Sequence, residues 1–192
     1  MVGVCTEHMD ALDEVLEKYA ASQHLMDHIR YTAESLSVGF DNWGERYVSG
    51  PSLYILIVAD VNFAEYTDPL GDNEWPVDRC RLVTESRDVF TNVARDVAFS
   101  RDGAVVVTGD GTIQRQMVRV RNPSRGEVED LETLEFPDWM GTKHMSALET
   151  SLRDDVLWAV TLSEEDGRVT TFLDGTYRDY PRSEIGGRWR PE

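Results

Sequence analysis

Four consecutive residues in the stretch DWMGTKHMSALE could together hold an anion. A helical pattern begins with a small residue, a hydroxyl group, a cation and an imidazole, which are Gly141, Thr142, Lys143 and His144. The first backbone N–H groups of a helix have no intrahelical partner, and the helix dipole favours negative charge at that end. The alternative is a capped helix on which Lys143 and His144 face water, because short motifs often match by chance.

Two further groups of polar residues fall where predicted strands begin or end. A predicted helix gives way to a strand at Asp102, Gly103 and Ala104. A predicted buried strand ends at Ser163 and Glu164, and an Asp-Gly turn signal follows them. Catalytic groups favour such boundaries because a rigid scaffold can hold a polar group at the rim of the core. Taken singly, each group is also typical of an ordinary turn in an acidic chain.

These residue types suit chemistry on a phosphate group. Attack of a hydroxyl on a phosphate needs an activated hydroxyl, in-line positioning and cations that hold the departing group. Asp102 and Glu164 offer the hard oxygen ligands that Mg²⁺ or Mn²⁺ prefers. Lys143 and the N-terminus of the helix after Thr142 would supply positive potential.

The first half of the chain predicts a long helical region, a buried strand and a loop. Residues 6–36 carry apolar residues at helical spacing, with Ser22 as a candidate break and Gly39 as the stop. Residues 52–60 form a continuous apolar run, which predicts a buried strand. Residues 62–82 are rich in proline, glycine, aspartate and asparagine, and predict a surface loop.

The middle of the chain predicts a helix followed by a hairpin. The helix opens near Ser86, where an amphipathic pattern begins. A β-branched run at 104–108 predicts a strand, and an Asp-Gly turn leads to its partner at 112–120. A polar, acidic excursion occupies residues 121–138.

The last part of the chain predicts a short helix, a second hairpin and an irregular tail. The helix occupies residues 143–152, the two strands occupy 156–163 and 168–173, and the tail begins near residue 177. Strands and helices therefore alternate, which predicts an α/β architecture with a mixed central sheet flanked by helices.

The 192 residues fit one domain with appended segments. We expect an N-terminal helical segment at 1–49, the main domain at 50–180 and a C-terminal tail at 181–192.

The chain is strongly acidic, with 36 acidic and 19 basic residues and a formal net charge of −17. Such a surface argues against general binding to nucleic acid or to an anionic membrane. It resembles the proteomes of salt-loving archaea, in which salt screens the self-repulsion of the charges. Only two of the basic residues are lysines, Lys18 and Lys143, so a lysine at the candidate anion site is conspicuous.

The sequence predicts a cytoplasmic protein. No apolar run approaches the roughly 20 residues needed to cross a bilayer. The N-terminus is acidic and has no basic region before an apolar one, which argues against a signal peptide. Two cysteines, Cys5 and Cys80, cannot form a disulfide framework.

Three motifs, in their order along the chain, resemble those of the diadenylate cyclase family, whose members join two ATP molecules into cyclic di-AMP. That family carries an Asp-Gly-Ala motif, a Gly-Thr-Arg-His-Arg motif that opens a helix, and a Ser-Glu-Glu-x-Gly turn. Here the motifs are DGAVVV, MGTKHMSALE and LSEEDGRVTTFLDG. The resemblance covers about residues 50–176 and implies the diadenylate cyclase type of α/β domain.

The resemblance implies roles for the residues that match the first and third motifs. Asp102 matches the essential aspartate, which lies beside a metal and the attacking ribose 3′-hydroxyl. Gly103 and Ala104 would let the nucleotide approach the backbone. Ser163 matches a serine that contacts phosphate, and Glu164 matches a glutamate that binds the metal, Mg²⁺ or Mn²⁺.

The second motif matches the phosphate-binding Thr-Arg-His of the family at Thr142, Lys143 and His144. The chain departs from the family pattern at two positions of this motif. Lys143 replaces arginine, which keeps the charge but loses the bidentate fork. Met145 replaces the second arginine, and it could face either the triphosphate or the core.

The activity that the resemblance implies is the condensation of two ATP molecules with release of two pyrophosphates. Each ATP must supply a 3′-hydroxyl to the α-phosphate of the other, so the family brings two subunits face to face. A two-fold homodimer is therefore expected in the active state, and larger homo-oligomers are left open. Two alternatives remain at this stage: a non-catalytic adenine-nucleotide sensor on the same fold, and a protein-interaction module whose motifs are only turns and caps.

Overall fold

The fold is described from a computed structural model for residues 3–186, with side chains for 21–128 and 131–186. Residues 1–2 and 187–192, which include the end of the predicted tail, lie outside the described residues. No helix within residues 3–186 is long and apolar enough to cross a membrane.

The chain begins with one long helix, α1, which spans Gly3–Val38. Ser22 does not divide it, and it ends directly before Gly39, as predicted. Its buried side chains recur every three or four residues, so one stripe of the helix faces the core: Leu25, Ile29, Ala33 and Leu36.

The remaining helices are α2, Arg87–Ser100, and α3, Thr142–Thr150. Both were predicted, and α2 begins at its N-cap Ser86, whose hydroxyl accepts a hydrogen bond from the N–H of Val89. The strands, in chain order, are β1 (Leu53–Val58), β2 (Thr67–Glu74), β3 (Val105–Thr108), β4 (Gln116–Val120), β5 (Val156–Leu162), β6 (Val169–Leu173) and β7 (Thr176–Tyr180).

The main sheet is mixed and has the spatial order β3-β1-β5-β6-β7. Strand β1 runs parallel to β3 and antiparallel to β5, and each later neighbour is antiparallel. The starts of β1 and β3 therefore lie at the same edge of the sheet as the end of β5. Ser52 directly precedes β1, Ser163 directly follows β5, and Asp102 lies three residues before β3.

Helices cover both faces of this sheet, which is why β1 is buried along its whole length. Ile55 and Ile57 pack with α1 and α2, whereas Leu56 and Val58 pack with α3. The predicted α/β architecture, a mixed sheet flanked by helices, is therefore confirmed. The division of the chain at 49 and 180 stays a prediction, although α1 contributes to the same core as β1.

The predicted loop at 62–82 is wrong in its first half. A 3₁₀ turn at Asn62–Glu65 leads into β2, which pairs with β4 in a separate two-stranded sheet. Pro69 is tolerated because β2 pairs on one side only, and the register shifts between Pro69 and Glu74, across the glycine-containing bulge. Strand β2 was not predicted because its partner strand lies about 50 residues away and its own pattern is polar.

The predicted hairpin partner of β3 is correct only in part. The Asp-Gly turn forms, with Gly111 at a φ of 88° and its N–H bonded to the carbonyl of Thr108. Strand β4, however, begins at Gln116 instead of residue 112 and forms its ladder with β2. Beside β3 it forms one isolated bridge, which joins Val118 to Ala104, the residue just before β3.

The tail predicted as irregular from residue 177 contains β7, so that prediction is also wrong. Asp174 and Gly175 both have positive φ, 46° and 65°, which is the geometry of a two-residue turn that joins antiparallel strands. Strand β7 lies at the edge of the sheet and has charged, largely exposed residues. An edge strand needs no apolar alternation, and for that reason its sequence gave a weak signal.

Candidate functional site

The three motif regions meet at the sheet edge where β1 and β3 start and β5 ends. Asp102, Lys143 and Glu164 line one cavity of about 510 Å³. An adjoining cavity of about 310 Å³ is lined by Lys143 and Glu164 again, together with Thr142, His144 and Ser163. Residues more than 60 positions apart in the sequence are thus brought to one place.

Lys143 occupies the boundary between the two cavities. Its Nζ donates a hydrogen bond to the hydroxyl of Ser52, the residue just before β1. Burial lowers the pKa of the Lys143 ammonium, and the carboxylates of Glu164 and Asp102 oppose that shift. A partly desolvated cation therefore lies within electrostatic reach of both candidate metal ligands.

His144 is buried beneath the N-terminus of α3, with 6 % of its surface exposed. Its ring meets Trp139 edge-on, with centroids 5.3 Å apart. Burial, assisted by the Lys143 cation, lowers the pKa of His144 to about 4, so the imidazole is neutral near pH 7. Its Nε2 has no hydrogen-bond partner within the described residues, and a buried nitrogen of this kind needs one.

The alternative of a capped, solvated helix does not fit α3. Its N-cap residue is Gly141, and no side chain of the described residues caps the helix or places an acid in its first turn. Lys143 is half-buried and His144 is buried, so neither simply faces water. The N-terminal amides of α3 thus keep the positive potential that an anion would find favourable.

Asp102 is exposed at the rim, and its carboxylate accepts a 2.8 Å hydrogen bond from the N–H of Gly103. Gly103 has a φ of +97°, and a Cβ there would lie 2.9 Å from the carbonyl oxygen of Val118. Ala104 is 1 % exposed, and both its backbone groups are bonded to Val118. Gly103 and Ala104 therefore pack against β4, while Asp102 faces the cavity.

In the turn after β5, Ser163 is buried and Glu164 is exposed. Ser163 is 9 % exposed, and its hydroxyl accepts a 3.3 Å hydrogen bond from the N–H of Glu165. Burial would raise the pKa of Asp166, but hydrogen bonds from Ser163 and Arg168 lower it. Glu164 is exposed and lines both cavities, and its carbonyl oxygen accepts a 3.0 Å hydrogen bond from the N–H of Gly50.

A divalent metal would find two carboxylates here and no complete protein cage. Within the described residues, no group of three or more histidine, cysteine, aspartate or glutamate side chains could hold a metal ion. Mg²⁺ is commonly held by one or two carboxylates together with water and the phosphates of a substrate. Asp102 and Glu164 therefore fit a metal that binds together with a phosphorylated ligand.

Ser52, Trp139 and Arg168 were not predicted as site residues, and they complete the two cavities. The Arg168 guanidinium lies 4.4 Å from the centre of the Trp139 ring and pairs with Asp166 and Asp179. Ser52 and Trp139 lie outside the three motifs, and Arg168 falls within the third motif stretch without an implied role, so it is the fold that brings these side chains to the site. The Asp-Gly turn directly before Arg168 is the one signal that could have pointed to it.

Met145 packs at the margin of the apolar cluster under α3 and lines neither cavity. The buried face of α3 consists of His144, Ala147, Leu148 and Thr150. Met145 is half-buried beside that face, so its apolar side chain turns toward the core.

A larger cavity, about 670 Å³, lies elsewhere, between residues 133–137 and the β6–β7 turn. None of the motif residues lines it. Its size alone does not make it the functional site, because the convergent polar and titratable groups lie in the smaller pair of cavities.

Comparison with known proteins gives structural relatives only. No family model matches the chain, and no curated protein matches it. A Bacillus cereus structure, described as a hypothetical membrane spanning protein, is 16% identical with a TM-score of 0.55; the match covers 80% of this chain and 62% of that one. DacA from Staphylococcus aureus, solved as a double mutant, is 16% identical with a TM-score of 0.48, and the match covers 87% and 91% of the two chains.

The likeness to the Bacillus cereus protein shows a shared α/β fold. This chain spans about three fifths of the length of that protein, 62%.

Proposed function

We propose that the protein is a diadenylate cyclase, which condenses two ATP molecules into cyclic di-AMP and releases two pyrophosphates. The observation that carries the proposal is the position of Lys143 within electrostatic reach of both Asp102 and Glu164, at one edge of the sheet. Transfer of a nucleotidyl group requires cations beside carboxylates, and here these groups lie at the N-terminus of a helix. The order of the motifs matches that of the diadenylate cyclase family, and so do the residue types apart from Lys143 and Met145.

In the proposed reaction, the Asp102 carboxylate orients the ribose 3′-hydroxyl of one ATP and accepts its proton. The 3′-oxygen attacks the α-phosphorus of the second ATP, and the bond to the pyrophosphate group breaks. Asp102 and Glu164 would hold Mg²⁺ or Mn²⁺, which when bound supplies positive charge against the phosphate oxygens. The exposure of both carboxylates leaves them accessible to a metal that arrives with ATP.

The triphosphate would be held by groups around the N-terminus of α3. Lys143 contributes a full charge, and the first amides of α3 contribute the helix dipole. His144, neutral and with Nε2 lacking a partner, would donate from that nitrogen to a phosphate oxygen when its proton is on Nε2. Thr142 and Ser163 offer hydroxyl groups to the same cavity.

Gly103 and Ala104 are proposed to border the nucleotide through the tight turn that carries Asp102. The left-handed φ of Gly103 and the close approach of β4 both require a glycine there. Ala104 anchors the turn through its paired bonds to Val118.

Two phosphodiester bonds have to form, and in each the 3′-hydroxyl of one ATP attacks the α-phosphate of the other. One site cannot form both bonds. The proposed active form is therefore a two-fold homodimer that places two of these sheet edges face to face. An enzyme that uses ATP as its substrate would work in the cytoplasm. The acidic surface would suit a cytoplasm that is rich in salt.

A nucleotide sensor on the same fold is the second candidate, and the half-buried Met145 favours it. With an apolar side chain at this position, the phosphates would lose a cation that the family uses. Such a protein would bind ATP without turning it over.

The test is a product assay on the full chain at high salt, with ATP and Mn²⁺ or Mg²⁺, read by liquid chromatography and mass spectrometry. Formation of cyclic di-AMP with two pyrophosphates per product supports the cyclase. Binding of ATP without any product supports the sensor. Failure to bind any adenine nucleotide excludes both and leaves a protein-interaction module.

A further inference from the structure

The connection between α1 and β1, residues 39–52, passes along the edge of the sheet where the motif regions meet. The N–H of Gly50 donates to the carbonyl of Glu164 at 3.0 Å, and the N–H of Ser52 donates to the carbonyl of Ala98 at 3.0 Å. Ser52 also accepts the hydrogen bond from Lys143. One segment outside the motifs thus contacts the turn after β5, the end of α2 and the start of α3.

Within this segment, the half-buried ring of Trp43 packs against the turn that carries Glu164. A Cβ added to Gly50 would lie 2.2 Å from Cζ3 of Trp43, and one added to Gly167 would lie 2.7 Å from Cζ2. Real Cβ atoms do not approach so closely, so the indole fills the space above both glycines. The ring therefore contacts Gly167, three residues after Glu164, and Gly50, whose N–H donates to the carbonyl of Glu164.

Trp43 is itself held in place by the end of α1. Its Nε1 donates a 3.0 Å hydrogen bond to the carbonyl of Ser37, and the Ser37 hydroxyl donates to the carbonyl of Gly167. Phe40 meets Trp43 edge-on, with ring centroids 4.9 Å apart, and contacts Phe99 near Asp102 at 5.7 Å. The indole ring is therefore held through Nε1 by the end of α1 and through its edge-on contact by Phe40.

The carboxylate of Glu164, in contrast, has no hydrogen bond or ion pair of its own within the described residues. Its location depends on the backbone of the turn, which Trp43, Gly50 and Ser37 support. We infer that Trp43 is a positioning residue that holds the turn at Ser163–Gly167, so that Glu164 reaches the metal together with Asp102. The inference rests on the proposed function, because Glu164 acts in it as a metal ligand.

A purely structural role for Trp43 predicts a different result. Loss of the ring would then lower the melting temperature and leave the affinity for the metal unchanged. Outer groups that orient a metal ligand typically alter metal affinity or activity by about 10- to 100-fold. Metal affinity, measured apart from turnover, therefore distinguishes the two roles.

The experiment measures Mn²⁺ binding by electron paramagnetic resonance, in the presence of an ATP analogue with a methylene between the α- and β-phosphates. The variants are Trp43→Ala, Trp43→Phe and, as a matched control, Trp158→Ala. Trp158 is also half-buried, but it pairs with Ile57, toward the opposite edge of the sheet. Melting temperatures and the Mn²⁺ dependence of product formation are recorded for each protein.

We expect Trp43→Ala to weaken Mn²⁺ binding by about tenfold or more. Trp43→Phe should recover most of this affinity, because its ring still covers the glycines. Trp158→Ala should lower the melting temperature without changing Mn²⁺ affinity. Unchanged Mn²⁺ affinity in Trp43→Ala, or an equal loss in Trp158→Ala, would overturn the inference.

Gly50→Ala tests the same contact from the other side. The added methyl group would displace the Trp43 ring, so it should weaken Mn²⁺ binding in the same direction as Trp43→Ala; a wild-type affinity in this variant would also overturn the inference. Because binding is read with an unreactive analogue, it can be measured even if the wild-type protein forms no cyclic di-AMP. That outcome would reject the proposed reaction and leave the role of Trp43 to be decided by Mn²⁺ affinity alone.

Discussion

The ammonium group of Lys143 donates a hydrogen bond to the hydroxyl of Ser52, which links the first turn of α3 to the residue before β1. The two residues are 91 positions apart. Because Ser52 lies between the start of β3 and the end of β5, the contact fixes Lys143 between Asp102 and Glu164. A lysine has a flexible stem, and this contact holds its charge at the place where phosphates would bind.

Lys143→Ala should weaken binding of ATP far more than binding of adenosine. The proposed interaction is a charge-assisted hydrogen bond to phosphate, whose loss would cost about 1.5–3 kcal/mol. Titration calorimetry with both ligands measures the difference, and Lys18→Ala, which changes the other lysine of the chain, is the matched control. An equal loss for the two ligands would show that Lys143 supports the structure instead.

Asp102→Asn should abolish formation of cyclic di-AMP and leave the fold intact. Asparagine keeps an oxygen that can accept the hydrogen bond from Gly103, and position 102 is exposed, so stability should change by less than about 0.5 kcal/mol. Its amide, however, neither binds a hard cation well nor accepts a proton. The product assay and thermal melting measure the two effects. Turnover near that of the wild type would remove Asp102 from the mechanism.

The elements that the sequence predicted well are those whose local pattern is strong. Strand β1 is a continuous apolar run, and α2 has a serine N-cap before an amphipathic pattern. Strand β2 was missed because it contains Pro69 and Gly71 and is stabilised by a distant partner strand. Strand β7 was missed because its exposed edge position requires no apolar pattern, although the Asp-Gly signal before it was present.

The residues of the candidate site also divide into those that the sequence predicted and those that only the fold brings there. Residue type at the boundaries of recognisable elements, together with the resemblance to the diadenylate cyclase motifs, predicted Asp102, Lys143 and Glu164. Ser52 and Trp43 have no motif of their own, and they reach the site only because α1 and β1 are joined across its edge. Contacts of this kind depend on tertiary packing, which a single sequence does not encode in any local pattern.

His144 should make the stability of the protein depend on pH. Burial lowers its pKa to about 4 in the folded state, against about 6.5 in the unfolded chain. The unfolded state therefore binds more protons between these values, so stability falls as the pH falls through this window. We expect a loss of about 2 kcal/mol from this residue between about pH 7.5 and pH 5.

The measurement is urea unfolding of the wild type and of His144→Gln at both pH values. Glutamine does not titrate, so the variant should lose less stability on acidification, while other acidic groups contribute equally to both proteins. The same fall in the two proteins would mean that His144 is protonated in the folded state. Potassium phosphate is avoided in these buffers because an anion bound near α3 would stabilise the folded protein.

Met145→Arg, which restores the second arginine of the diadenylate cyclase motif, should lower the melting temperature and give no gain in ATP affinity. Met145 is half-buried, packs against the apolar cluster under α3 and lines neither cavity, so an arginine there would lose apolar packing and partly desolvate its charge. A cost of about 1–3 kcal/mol is typical of such a change. Met145→Gln, uncharged and of similar length, separates the loss of packing from the effect of charge. Tighter ATP binding or faster product formation in Met145→Arg alone would instead show that the arginine turns back over the triphosphate, and that Lys143, His144 and the start of α3 do not suffice without it.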